Sequence, residues 1–490
     1  MIRPILLSLA AGLALQAQAI PPRPEAIAFK PLAFSVPKAG AFKADLSNGI
    51  PVYIAEEPDG LPFVRIRVFI KGGAYLDPAG KEGLAALAGA QLRAGGTLRT
   101  PAAALDERLE FLAASIQSSL GDTSGSVSLD ILEKDLTEGL DLFMQVLTQP
   151  AFAPERLDQA KRAIRQNLAS RGDKLESIAA VELPRLLYRA GHFTSAQPTA
   201  ASVAALTRED LAAFHARLLH PANLVVSVSG KFQRKAMLAR LDATLGRLKA
   251  GPAAKPSPVV PAPGALAKPG IYVVDKAVPQ SLVQWALPGL RRTDPDWAAA
   301  TVLNSILASG DFTCRLMKKI RSDEGLTYGI GGAFGEGSYW RGHWSGSFQT
   351  KNKSVAYALR LFLGELDRIK REPVPAEELG SIQNTIVEAF PARWGRKANV
   401  VNLFAGERLV GWPEDGWTDY RERIRAVTAA DVQRVARTYL DPAKLVLLVV
   451  GKADEALAGD PEHPGPLAAV APLPVVRLPL RDPLTLKPLS

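Results

Sequence analysis

The sequence predicts an α+β fold of two homologous domains, each a mainly antiparallel sheet with helices packed against it, facing each other across a cleft. Two observations carry this. First, residues recur at a fixed offset: Thr207, Asp210, Pro221, Ala222, Leu224, Gly230 and Lys231 return as Thr428, Asp431, Pro442, Ala443, Leu445, Gly451 and Lys452, each pair 221 apart. Ser124-Gly-Ser126 returns as Ser345-Gly-Ser347 at 221, and Leu140, Phe143 and Leu147 return as Leu359, Phe362 and Leu366 at 219. A register held over so many positions marks a duplication. Second, the Pro/Ala-rich stretch Gly251-Pro-Ala-Ala-Lys-Pro-Ser-Pro-Val-Val-Pro-Ala-Pro-Gly264 divides the chain nearly in half and reads as an extended linker of polyproline character. Two domains so joined enclose a cleft, a frequent place for a ligand.

In chain order, Met1–Ala19 has the form of a secretory signal: Arg3, the short apolar run Ile5–Leu15, then the small-x-small Ala17-Gln18-Ala19. That run is too short to span a bilayer, no later stretch is long enough, and an exported, most simply periplasmic, chain is expected. Residues 20–40 are Pro-rich. The first domain is assigned to 41–250, and its strands Val52–Glu57 and Val64–Ile70 alternate apolar with polar, as in a sheet with one face in a core. Helical spacing marks roughly 82–94, 103–113, 134–147, 154–171 and 176–190. The linker is assigned to 251–268, the second domain to 269–456 and a Pro-rich tail to 457–490, a flexible end or a strap over a partner. Within the second domain a helix over 297–308 breaks at Ser309-Gly310, a second runs from about Thr313 to Ser322, and Gly325 ends it before a strand that carries Tyr328.

The net charge of +10 does not imply nucleic acid. Lys and Arg are interleaved with Asp and Glu, as in Glu155-Arg-Leu-Asp-Gln-Ala-Lys-Arg162, and no aromatic-plus-basic module appears. A basic surface suits acidic peptides or an acidic partner equally well. The single cysteine, Cys314, allows no intramolecular disulfide, so stability must come from packed cores.

The candidate site is Arg321-Ser-Asp-Glu-Gly-Leu-Thr-Tyr328. Gly325 can bring a guanidinium and a phenol to one edge, where two donors of fixed geometry suit a developing oxyanion. The same residues also suit a helix-terminal Arg and a half-buried strand Tyr. The Gly-rich run that follows, with Gly329, Gly331 and Phe334, offers either an edge that pairs with an extended peptide or a simple strand bend.

The chain resembles the pitrilysin/insulinase metallopeptidases, especially their two-domain branch that includes the mitochondrial processing peptidase. The resemblance rests on Asn48-Gly-Ile-Pro-Val-Tyr53, Gly72-Gly-Ala-Tyr75, Gly83-Leu-Ala85, Val274-Asp-Lys276, Pro279-Gln-Ser281, Leu303-Asn-Ser-Ile-Leu307 and Arg321 through Tyr328, and it spans 44–455. It implies an Arg/Tyr pair, here Arg321 and Tyr328, that reaches a zinc-bound peptide. It also implies a helical His-x-x-Glu-His motif with a further Glu ligand. Those positions hold Ala86, Gly89, Ala90 and Asn167, so every ligand and the base are missing. None of the five histidines (His192, His215, His220, His343, His463) has a motif-placed carboxylate. No zinc is therefore expected on this chain. The resemblance instead implies a homologous partner subunit that carries the zinc, with peptides as substrates and Arg321/Tyr328 acting in the partner's site. The alternative is a non-catalytic scaffold or peptide-binding protein of the same fold.

Overall fold

The computed structural model describes residue 23 and residues 34–188, 190–264, 268–309 and 311–489. The leader predicted over Met1–Ala19, and the Pro-rich segment to residue 33 apart from residue 23, lie outside the described residues. No helix among the described residues is long and apolar enough to cross a membrane.

Two six-stranded sheets organise the chain. The first is built from β1 (Lys43–Asp45), β2 (Pro51–Glu56), β3 (Phe63–Lys71), β4 (Ser115–Leu120), β5 (Ser124–Leu132) and β6 (Leu224–Gly230), in the order β1-β2-β6-β3-β5-β4. Its helices are α1 (Leu84–Ala94), α2 (Ala102–Phe111), α3 (Leu136–Thr148), α4 (Pro154–Ala169), α5 (Leu175–Leu187), α6 (Ala200–Ala204), α7 (Arg208–Leu218) and α8 (Arg234–Thr244). The second sheet holds β7 (Gly270–Asp275), β8 (Gln280–Pro288), β9 (Ile330–Phe334), β10 (His343–Lys351), β11 (Val446–Gly451) and β12 (Val475–Leu478), in the order β12-β7-β11-β8-β10-β9. With it come α9 (Trp297–Asn304), α10 (Val355–Arg371), α11 (Ala376–Ala389), α12 (Lys397–Val410), α13 (Tyr420–Arg425), α14 (Ala429–Tyr439) and α15 (Ala453–Ala458). Pairing is antiparallel except for β2 with β6, β7 with β11 and β7 with β12.

Alternation in β3 explains the first core: Val64, Ile66, Val68 and Ile70 are buried against Leu87, Leu140, Phe143 and Leu211, while Arg65, Arg67 and Lys71 take the other face. The duplicated residues turn out to be structural. Thr207 and Thr428 cap α7 and α14, each accepting from the backbone of the repeated aspartate (Asp210, Asp431) at 3.1 Å. Gly230 and Gly451 sit where a neighbouring strand passes too close for any side chain: a Cβ would come 2.0 Å from the Phe63 carbonyl in one copy and 2.1 Å from Ser281 Oγ in the other. One part of the register needs correction. β5 and β10 are both nine residues long and begin at Ser124 and His343, so the true local offset is 219, and the Ser-Gly-Ser match at 221 is two residues out. A slip of two preserves the face, which is why the pattern survives it.

The halves exchange helices. Ile178 and Ala179 of α5 are buried with Val274, Leu282, Leu448 and Val450 of the second sheet. In return α12 lies on the first sheet: the Phe404 ring is 6.0 Å from both Phe42 and Tyr53, and Ser227 Oγ donates to Asn402 Oδ1 at 2.6 Å. This second cover is why all of β6 is buried although Ser227 and Ser229 interrupt its apolar run. The linker is fixed to the first half, with buried Asn223 donating to the Lys255 carbonyl (2.8 Å) and accepting from Ser257 N (2.6 Å). The C-terminal residues are neither loose nor confined to one half. β12 pairs with β7, and Leu484 O accepts from Ala200 N of α6 at 2.8 Å.

Candidate functional site

The Arg321–Tyr328 segment begins in a helical stretch, Met317–Asp323, wound as a π-helix. Gly325, at φ +63°, ends it: its N–H donates to the Arg321 carbonyl and that of Leu326 to the Ile320 carbonyl, both at 3.0 Å. Tyr328 is not on a strand as expected. Thr327 Oγ1 donates to Gly329 O (2.9 Å), and Thr350 Oγ1 donates to Leu326 O (2.6 Å). This local turn spends residues 326–329 on itself, so β9 starts only at Ile330.

Tyr328 is 93% exposed, and the Arg321 guanidinium lies over two rings, 5.4 Å from the centroid of Tyr328 and 4.3 Å from that of Phe312. The glycine turn thus brings the two expected residues together. Phe312, which sequence reasoning did not single out, supplies the second ring, just after the helix break. Its signal was an aromatic beside a Ser-Gly break, too common to stand out. Stacking at such exposure is worth about 0.5–1 kcal/mol, enough to bias the guanidinium without immobilising it.

Beside Tyr328 opens a cavity of ≈ 610 Å³. One wall is the second sheet, through Gln280 and Gln284 of β8 and Gln349 and Lys351 of β10; Leu326 and Gly329 form the rim. The other wall is Glu176, in the first turn of the crossing helix α5, which accepts a hydrogen bond from Gln349 Nε2. The cavity therefore draws on both halves. Gly331 and Phe334 do not line it. Phe334 pairs with Trp344 across the sheet and packs on Trp344 and Tyr439, the face away from Ser345 and Gln349, so its role is packing. β9 is nonetheless the outermost strand, pairing only with β10 among the described strands.

The former motif positions lie on α1 and α4. Ala86, Ala90 and Asn167 are exposed, while Gly89 is buried against β4. A Cβ at residue 89 would come 2.2 Å from the Leu120 backbone nitrogen, so helix and strand have closed over the place where a general base would stand. These residues do not fit a zinc ion. Among the described residues no three His, Cys, Asp or Glu side chains gather into a metal-holding group. The histidines are engaged separately: His215 Nε2 with the Leu147 carbonyl at 2.8 Å, His220 as acceptor from Ala222 N, His463 stacked on Tyr357, and His192 and His343 around Tyr188. Burial lowers His215 and His343 below the usual imidazole value.

Asp77 holds the start of α1, accepting from Gly83 N (3.0 Å) and Ala85 N (2.9 Å). Burial outweighs these bonds and raises its carboxyl from 3.8 to about 6. A raised acid favours the protonated folded state, so its contribution is complete below pH 3.8 and is lost as pH rises through about 6. Urea melts of Asp77→Asn against the parent between these limits should show a flatter pH dependence in the variant, and parallel curves would refute the assignment.

Comparison with known proteins agrees with this architecture. Residues 53–197 match the family model described as Insulinase (Peptidase family M16), and 205–386 match that described as Peptidase M16 inactive domain. A "non-peptidase homolog", YmxG of Helicobacter pylori, is 26% identical over 360 residues, 70% of this chain and 82% of that protein. An uncharacterized zinc protease of Streptomyces coelicolor is 24% identical over 319 residues, 63% of this chain and 68% of that protein. The crystal structure of a peptidase M16 inactive domain from Pseudomonas fluorescens superposes with a TM-score of 0.74 at 24% identity, covering 84% of this chain and 97% of that one. With both halves matched, two sheets in duplicate order and no metal ligand at the motif positions, the chain belongs to the insulinase (M16) peptidase family as a member without the zinc motif.

Proposed function

We propose that this chain is the zinc-free subunit of an exported heterodimeric zinc metallopeptidase, supplying Arg321 and Tyr328 to peptide-bond hydrolysis in the site of a homologous, zinc-bearing partner. The observation that carries this reading is Tyr328: an aromatic side chain 93% exposed, held over Arg321 on the rim of a cavity. Packing does not account for it. Two donors free on the solvent side are available to a carbonyl oxygen that gains charge as a peptide bond is attacked, and they carry no proton the reaction must remove. Metal and base would belong to the partner, because α1 here carries no ligand at 86 or 90 and has no room for a side chain at 89. Gly329 and the Gln-rich wall would hold the extended peptide, and the leader-like N-terminus would place the pair in the periplasm.

The test is peptidase activity of the purified chain with and without a zinc-motif homologue from the same genome, on quenched-fluorescent peptides, with and without chelator. Activity is expected only in the mixture and is abolished by chelator. Arg321→Ala or Tyr328→Phe should lower turnover of the mixture by about 10²–10³, the usual loss for an oxyanion donor. Unchanged turnover in both variants would end the shared-site reading. A second reading, a non-catalytic scaffold or peptide-binding protein, is favoured by the closed α1–β4 contact and by the non-peptidase name of the Helicobacter relative. Stable association with the homologue and no hydrolysis in any mixture would select it.

A further inference from the structure

The two walls of the Tyr328 cavity come from different halves of the chain, and each is held from behind. Glu324 lies inside the Arg321–Tyr328 segment, and its carboxylate accepts from Lys319 Nζ at 2.8 Å and from the Tyr357 hydroxyl at 2.9 Å. Tyr357 is on α10, and its ring stacks flat on His463, with centroids 3.7 Å apart and planes 5° apart. The chain around His463 is pinned to the same helix region: Arg360 donates to the Pro464 carbonyl at 3.0 Å, and Lys353 pairs with Asp460 at 3.4 Å. At the other wall, Arg481 pairs with Glu182 of α5, whose side chain is only 4% exposed; Glu176, two turns earlier on that helix, lines the cavity. Between these two points the same stretch of chain forms β12.

We infer that the C-terminal tail, residues 457–489, sets the geometry of the cavity beside Arg321 and Tyr328 by gripping both walls, with Glu324, Tyr357 and Arg481 as its positioning residues. A tail that only covered the edge of β7 would need β12 alone. Instead its contacts outside β12 include the helix that anchors the Tyr328 turn and the helix that carries Glu176. In its bearing on turnover the inference rests on the proposed role of Arg321 and Tyr328; in its geometry it does not.

Hydrogen–deuterium exchange of the full chain tests the geometry without any partner. Tyr357→Phe removes one hydrogen bond and should raise exchange at amides 325–329 by about fivefold. Arg481→Met should raise exchange across 175–182, and Arg481→Lys, which keeps the ion pair, should restore it. In both variants the amides of β3 and β5 should stay at parent levels. Parent-like exchange at 325–329 and 175–182, or a rise spread evenly over the chain, would overturn the inference, and His463→Ala, which removes the tail's stack on Tyr357 and should raise exchange at 325–329, keeps the test decisive if Arg481→Met fails to fold. The mixture with the zinc-motif homologue adds a second readout on the same peptides: KM should rise more than kcat falls. If exchange responds as expected while Arg321→Ala leaves turnover intact, the tail's role stands and the shared-site role fails.

Discussion

Gly89→Ala is expected to cost the chain about 3 kcal/mol of stability, the upper part of the range for overpacking a closed contact. The added methyl carbon would meet the Leu120 nitrogen at 2.2 Å and the Ser119 carbonyl carbon at 2.8 Å. Both are backbone, so nothing swings aside; α1 and β4 must separate by roughly 1 Å, with the packing on either side disturbed. Arg93 N, which donates to Ser118 Oγ across the same contact at 3.2 Å, would be stretched as well. Urea unfolding gives the measurement, with Gly364→Ala, at a helical position of α10 with nothing within 4 Å, as the control. The same contact sets the expectation for rebuilding the family motif. The triple variant Ala86→His, Gly89→Glu, Ala90→His should remain without stoichiometric zinc and without peptidase activity, because a glutamate at 89 cannot enter the space. A folded, zinc-loaded triple variant would show that the α1–β4 contact is more pliant than its geometry implies. At residue 89 the lack of a base is therefore matched by a contact that leaves no space for a side chain.

How much of this was legible depended on whether a feature left a periodic or a local mark. The duplication did, because Thr207/Asp210 and Thr428/Asp431 are capping boxes and Gly230 and Gly451 are forced by strand crossings, so a fold that repeats must repeat those residues. The alternation in β3 placed its inward face correctly because one face of that strand meets a single core. The exchange of α5 and α12 left no such mark. A helix that covers the other half's sheet has the same apolar stripe as one that covers its own, and only the complete burial of β6 betrays the second cover. The sequence predicts a strand at Tyr328 because nothing in Gly-Leu-Thr-Tyr-Gly shows that Thr327 and Thr350 hold a turn there. β12 was hidden for a similar reason: Val475-Val-Arg-Leu478 is four residues among prolines, and its partner β7 lies about 200 residues away. In the site, Arg321, Tyr328 and the empty motif positions stand out only through the resemblance to the insulinase peptidases, whereas Phe312, Glu176 and the cavity required the third dimension.

Arg292→Ala should be the other large loss, about 3–5 kcal/mol, as expected when one partner of a buried ion pair is removed. The Arg292 and Glu407 side chains are 9% and 1% exposed and meet at 2.7 Å. The guanidinium is also stacked 3.5 Å from the Trp412 ring centroid and 4.6 Å from that of Trp417, and Trp417 Nε1 donates to the same carboxylate oxygen that Arg292 contacts. Burial raises the Glu407 carboxyl above its ordinary value, and Arg292 is the main group pulling it back. Removing the arginine leaves burial opposed chiefly by the Trp417 hydrogen bond and the Arg393 charge. The folded state would then favour protonated Glu407 still more, a contribution present at low pH and lost as pH rises through the raised value. The deficit of Arg292→Ala should accordingly be smaller near pH 5 than near pH 8, and Arg292→Ala/Glu407→Gln should recover part of it at the higher pH. A deficit independent of pH would assign the loss to the Trp412 and Trp417 stacking instead. The position matters because Glu407 sits near the end of α12, the helix lent to the first sheet, while Arg292 follows β8 of the second. The pair fixes the crossing helix to the sheet it left, as Arg481 and Glu182 fix α5 at the opposite crossing. The two buried pairs thus tie both exchanged helices, α12 and α5, to the second half of the chain.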